Sequence, residues 1–344
     1  MDTSQDIRPS PLDNLAEVAA CRLNDRRDFQ RLITAEKPVV IQGLFDHWPA
    51  LAAGRASPSC LNAYLKRHDQ GDHATVMEAP FSSGGRYVYA PDMREFNFSK
   101  RQRGITETLD QIERNLTIEK APFLAIQMLP LQSHMPGFVA DNPLPLMPPQ
   151  IAPRLWVGGP LKTQTHNDRD HNLACVIAGR RRFLLFPPEQ VANLYVGPLD
   201  NPPPLSLVDP EQPDDERFPK FREAMRAAMV AHLGPGDAIF MPKYWWHHVT
   251  SLDPYNAMVN YWWGDFATGL ERANDAFLTA LLAFGHLPPG ERTYWKAMFD
   301  AYVFKTAGDA TSHIPPALKG VLGAMSEPVR ERLKAELKHA YLKS

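Results

Sequence analysis

The chain has 344 residues, 44% of them hydrophobic and 10% aromatic, enough for a full core in one unit of barrel type with helical additions. A net charge of −2 and a pI near 6.6 leave no whole-chain electrostatic footprint for nucleic acid. Cys21, Cys60 and Cys175 have no paired spacing, which argues against a disulfide framework or a zinc cluster. There is neither a signal-peptide core at the N-terminus nor an apolar run of membrane-spanning length, so a cytoplasmic protein is expected.

In chain order, residues 1–13 read as a loose arm. Residues 25–36 predict a helix capped by Asp25 with Phe29, Leu32 and Ile33 on one face, followed by a strand at 39–44. A helix is predicted at 58–69, and a hairpin from 75–80 and 86–91 around a Ser-Ser-Gly-Gly turn. Residues 105–119 carry Leu109, Ile112 and Leu116 at helical spacing; 122–129 is a strand and 130–153 a proline-rich loop. Strands follow at 154–159 and after Gly179, the latter entering the core through Phe183 and Phe186. The acidic, proline-rich segment 197–219 reads as a loop over the active site, 220–232 as a helix, and 257–264 as the last strand. Many short strands with proline at the corners suggest a barrel or sandwich.

From residue 266 onward the pattern is helical, at 269–284, 291–304 and 327–342. Phe277, Leu278, Leu281 and Leu282, with Trp295, Met298 and Phe299, supply more apolar surface than an isolated appendage can leave in water. Packing on the barrel or homodimerisation would cover it.

Two stretches carry chemistry: TQTHNDRDHN at 163–172 and PKYWWHHV at 242–249. Residues two apart on a strand share a face, so His166 and Asp168 can point together into a cavity. A histidine from a distant strand would complete a two-histidine, one-carboxylate set, the donor pattern of non-haem Fe(II) oxygenases. By alternation only one of His247 and His248 can join it, and His171 is a further rival.

Taken with GRRRFLLFPPEQ, DDERFPKF, GPGDAIFMPKYWWHH and VNYWWG, these stretches resemble the cupin-like JmjC family, on the side of its asparaginyl hydroxylases, over residues 25–265. The resemblance implies a double-stranded β-helix (jelly-roll) barrel, mainly β with helical additions. It divides the chain into an arm at 1–13, a catalytic domain at 14–265 and a helical extension at 266–344, a possible dimerisation element. It assigns a metal, Fe(II), to His166, Asp168 and His247. It assigns the co-substrate 2-oxoglutarate to Thr163, Arg181, Asn172 and Asn260. Arg181 stands where the family has lysine, and Phe123 where it has a tyrosine hydroxyl. Trp262 matches a cavity wall, while Tyr89 and Arg217 match positions facing the substrate. Arg180 and Arg182 fall on the other face, as solvated charge. The implied activity is hydroxylation of a C–H bond in a protein side chain or small molecule, with 2-oxoglutarate converted to succinate and carbon dioxide. The absence of a basic surface or reader module places a histone demethylase behind a hydroxylase. A metal- or ligand-sensing module without turnover, and a cupin enzyme without 2-oxoglutarate, are the alternatives. No nucleic-acid or membrane partner is expected, and a homodimer is.

Overall fold

The computed structural model describes Leu12 and residues 14–200, 203–264 and 272–341; the remainder of the 1–13 arm and the ends of the predicted helices at 269–271 and 342 lie outside the described residues. The chain divides after Gly264 into two units.

The first unit opens with β1 (Ala16–Glu17) and β2 (Ala20–Cys21). Helix α1 (Arg26–Ala35) follows, its Arg27 and Asp28 amides capped by the Asp25 carboxylate. Next come β3 (Val39–Gln42), the proline-initiated helices α2 (Pro49–Ala56) and α3 (Pro58–His68), and β4 (His73–Ala79). Strands β5 (Arg86–Tyr87) and β6 (Ser99–Gly104) lead to α4 (Ile105–Asn115), which buries Ile105, Leu109 and Ile112. Then come β7 (Phe123–Pro130), the short helices α5 (Leu131–His134) and α6 (Pro136–Asp141), and β8 (Arg154–Gly158). The central run is β9 (Lys162–Asn167), β10 (His171–Ala178) and β11 (Arg181–Phe186). After α7 (Phe221–Arg226) the chain returns through β12 (Met229–Leu233), β13 (Asp237–Met241), β14 (Trp246–Ser251) and β15 (Asn256–Trp263).

Two sheets result: a six-stranded one ordered β1-β12-β11-β14-β9-β5 and a nine-stranded one ordered β2-β3-β13-β10-β15-β8-β7-β4-β6. Their facing sides share one apolar cluster. Phe183, Leu185, Ala231 and Val249 come from the first sheet and Ala174, Val176, Ile239, Met241 and Met258 from the second. Each large side chain so buried contributes roughly 1.5–3 kcal/mol. This is the jelly-roll barrel that the motifs imply. The back of the nine-stranded sheet is covered by helices, through Phe29, Leu51, Leu61, Leu109 and Phe138 among others. The back of the six-stranded sheet is covered by the described residues of the 194–228 segment, where Leu184, Phe186 and Trp246 meet Leu194, Val208, Phe218 and Phe221. Alternation therefore sends Phe183 into the barrel and Phe186 to its outer face.

Several predicted elements differ. The 75–80/86–91 hairpin does not form: β4 pairs with β6 and β7, while β5 crosses to the other sheet and runs parallel to β9. Gly84 and Gly85, both at positive φ, let the chain turn between sheets instead of back on itself. The helix at 220–232 stops at Arg226, because MVAHL pairs as β12 against β11. The loop at 130–153 contains two short helices.

In the second unit the described residues form α8 (Ala273–Phe284), α9 (Pro289–Met298) and α10 (Glu327–Tyr341), with α9 continuing into a π-helical turn at Phe299–Val303. No helix among the described residues is long and apolar enough to cross a membrane.

Candidate metal centre

The site is built on the pairing of β9 with β14. Lys162 stands opposite Thr250 and Thr163 opposite Val249, but His166 stands opposite His247. Three steps along β9 thus match two along β14, a β-bulge at Gln164–Thr165. Strict alternation would send Thr163 and His166 to opposite faces; the extra residue turns both into the same cavity. Asp168 follows the last residue of β9, and its carbonyl accepts from the Tyr244 amide at 2.8 Å. Tyr244 itself sits at φ 70, a strained value for a non-glycine residue, in the turn that delivers His247.

His166, Asp168 and His247 each offer a ligand atom, all within 4.8 Å of one another, and no other such group occurs among the described residues. His166 Nδ1 lies 2.8 Å from the Gln164 carbonyl and His247 Nδ1 lies 3.1 Å from the Trp245 carbonyl. A carbonyl only accepts, so each Nδ1 carries the proton and each Nε2 presents its lone pair. Burial, and then the neighbouring His166 ring, hold His247 below its ordinary value, to about 4, against the opposing pull of Asp168. The ring is therefore neutral, as a ligand must be. Asn172 Nδ2 donates to the Asp168 carboxylate at 3.3 Å, and Asn260 Nδ2 donates to Asn172 Oδ1 at 2.7 Å, so two amides orient the acid. His248 faces the opposite side of β14, and His171 accepts from the Lys243 amide at 3.2 Å, outside the group.

The cavity, about 70 Å³, is lined by this group together with Thr163 and Arg181. Arg181 is 8% exposed, and its Nε has no hydrogen-bond partner. No carboxylate among the described residues pairs with it. Burial lowers its pKa, but only to about 10, so it stays charged. A buried, unpaired guanidinium is costly and demands an anion. Phe123 packs against Phe81 at 6.2 Å outside the cavity, and Gln127 of the same strand lines it instead. Trp262 lines the cavity, and so does Trp156, 5.9 Å away edge to face; both indole N–H groups are buried without a partner. The alternation of FLAIQML and RLWVG is the signal that points Gln127 and Trp156 inward.

Tyr89 and Arg217 are not brought to this cavity. The Tyr89 ring stacks on Phe96, and its hydroxyl accepts from the Leu205 amide at 3.0 Å. Arg217 is exposed over the Phe218 ring. No described residue of the 197–219 segment lines this cavity either; its carboxylates are drawn to cations on the outer face of the six-stranded sheet. There Glu211 accepts from Lys162 and Arg182, and Asp209 pairs with Arg86 at 2.6 Å. Arg182 is thus an ion-pair partner and not solvated charge; Arg180, more exposed, pairs with Asp253 at 2.7 Å.

A family model described as a cupin-like domain matches residues 26–269, well over half of the chain. The chain belongs to the cupin-like domain family. The chain is 34% identical to HSPB1-associated protein 1 of Homo sapiens over 166 residues, 46% of this chain and 32% of that protein. It is 26% identical to lysine-specific demethylase 8 of Xenopus tropicalis over 246 residues, 67% of this chain and 49% of that protein. Lysine-specific demethylase JMJ31 of Arabidopsis thaliana is 35% identical over 103 residues, 30% and 19% of the two chains. The cupin-like chain spans about half or less of the length of these relatives. The JmjC kinship read from the motifs holds, and proteins named as demethylases, which the motifs placed behind hydroxylases, are among the relatives.

Proposed function

We propose that this cupin-like protein is an Fe(II)- and 2-oxoglutarate-dependent oxygenase that hydroxylates a C–H bond of a protein side chain or small molecule. The observation that carries the reading is Arg181: a buried cation with no counter-charge among the described residues, in the same cavity as a His-Asp-His group whose Nε2 lone pairs are set by backbone carbonyls. His166, Asp168 and His247 would hold Fe(II), which when bound supplies the redox chemistry that activates oxygen. Arg181 and Thr163 would anchor the far carboxylate of 2-oxoglutarate, with the guanidinium giving charge and geometry together. Asn172 and Asn260 keep the Asp168 carboxylate aimed, and Trp156 and Trp262 wall the cavity. N-demethylation, suggested by the names of two relatives, begins with the same C–H hydroxylation on a methyl group. Anaerobic titration of the Fe(II) protein with 2-oxoglutarate tests the reading. A visible charge-transfer band that Arg181→Ala weakens supports it. Bound iron with no band at millimolar co-substrate overturns it in favour of a sensing module or a cupin chemistry without 2-oxoglutarate.

We infer further that a second copy of the chain covers the C-terminal helices. Among the described residues from 272 on whose burial is assigned, only Thr311 is buried, while Phe277, Leu278 and Leu281 are about half exposed and Leu282 more so. Phe277 and Leu281, with Phe284, Trp295 and Phe299, line an apolar groove. Surface of this kind resembles a core cut in half, as in obligate homodimers. Light scattering on the wild type and on Leu281→Glu should show a dimer and a monomer; a monomeric wild type refutes it.

A further inference from the structure

We propose that segment 206–211 is a register clamp on the outer face of the barrel, and that Gln164 and Glu211 are positioning residues for the cavity behind it. The metal part of the test rests on the reading above; the clamp itself does not. Arg182, Thr250, Lys162 and Arg86 are register partners in turn across the adjacent strands β11, β14, β9 and β5. With strands roughly 4.8 Å apart, three of four neighbours in one row are cations, an arrangement that repels itself unless neutralised. Glu211 accepts hydrogen bonds from Arg182, from Lys162 and, at 2.9 Å, from the Thr250 hydroxyl; Asp209 takes Arg86. One carboxylate thus ties three strands, those that carry Arg181, His247 and His166 on their inner faces.

The row ends where the bulge begins. Gln164 and Thr165 have no register partner on β14, so the ladder cannot hold them. The clamp does. Gln164 is 3% exposed and donates its amide to the Ser206 carbonyl at 2.9 Å and the Val208 carbonyl at 2.6 Å, while the Ser206 amide donates to the Thr165 carbonyl at 2.8 Å. If these bonds are lost, β9 can relax to plain alternation, which turns either Thr163 or His166 out of the cavity. The segment touches no cavity residue in the metal group; it acts through the phase of the strand.

The test uses the full chain with Gln164→Met, which keeps length but loses both N–H donors, and Glu211→Gln, which keeps shape but loses charge. Glu211→Asp is the conservative rescue. Amide hydrogen exchange of 162–167 in metal-free protein and Co(II) titration followed by visible absorption are read on each folded variant. The clamp predicts that exchange in 162–167 speeds up at least ~10-fold relative to the other sheet, and that Co(II) affinity falls ~10–100-fold, the usual range for groups that orient ligands. Glu211→Asp should recover most of both. Unchanged protection of 162–167, or unchanged Co(II) affinity with only a lower melting temperature, overturns the proposal. Should the wild type bind no Co(II), the metal reading fails and exchange alone decides the clamp. Should Gln164→Met not fold, Thr250→Val removes a donor from β14 at less structural cost and is judged by the same readouts.

Discussion

Arg181 and Arg182 are consecutive, identical in chemistry and opposite in fate. Arg182 points out of the barrel and is neutralised by Glu211 in a row where every cation has a carboxylate. Arg181 points in, among Phe183, Val249 and Met258, and has none. The fold had a way to pair cations on these strands and used it on one face only. A charge that is buried and left without a protein partner is costly to stability and marks where a ligand completes the structure.

The sharpest way to break that contrast is at the metal group. Asp168→Ala should lower Co(II) affinity by more than ~100-fold, beyond the loss typical of an orienting neighbour, as read by absorption titration. Loss of only a few-fold would mean that the carboxylate is no ligand. Next in size is the arginine pair itself. Arg181→Met should raise the thermal midpoint, because an apolar group replaces an unpaired buried charge, while 2-oxoglutarate affinity drops by about 2–3 kcal/mol. Arg182→Met should do the reverse, destabilising by about 1–2 kcal/mol with co-substrate affinity nearly kept. If both variants lose stability alike, the two faces are not distinct.

A smaller effect depends on pH. Burial alone would raise the Glu211 carboxyl, but hydrogen bonds from Lys162 and Thr250 and the charges of Lys162 and Arg182 carry it below its ordinary value. A folded value below the unfolded one, about 4.3, means that the native state binds fewer protons as pH falls through that window. The stability it contributes is present above the unfolded value and is lost on descending through the folded one. Melting curves of wild type and Glu211→Gln should therefore differ at pH 7 and converge at low pH; a constant gap would exclude the ionic contribution. The smallest effect is expected at Arg180, exposed and paired with Asp253, where substitution by alanine should change stability by less than ~1 kcal/mol in denaturant titration.

Much of the inner face was legible because it follows simple periods. The His-x-Asp spacing, the rule that only one of His247 and His248 can face inward, and the opposition of Arg181 to Arg182 all come from alternation, whereas the choice of His247 came from the motif resemblance; the structure brings His166, Asp168 and His247 together. The co-location of Thr163 with His166 was not legible from the period, since three residues apart on a plain strand means opposite faces; only the motif resemblance suggested it, and the bulge explains it. The outer face was hidden for another reason. Glu211 meets Lys162, Arg182 and Thr250 from 49, 29 and 39 residues away, and no local pattern announces such a meeting. Acidic, proline-rich composition at 197–219 indicated a loop but not its address. Residues 229–233 became a strand because β1 and β11 flank them, a tertiary cause that outweighs the helical look of the preceding residues.

The bare guanidinium of Arg181 also makes the choice of salt an experimental variable. A cation that its own protein does not neutralise will take a share of whatever small anion the solution supplies, in proportion to concentration and fit. Phosphate, sulfate and chloride then act as competitors, and a co-substrate constant measured in one buffer is a property of protein and buffer together. Wild-type melting temperatures should spread between sulfate and a zwitterionic buffer of equal ionic strength, and those of Arg181→Met should draw together.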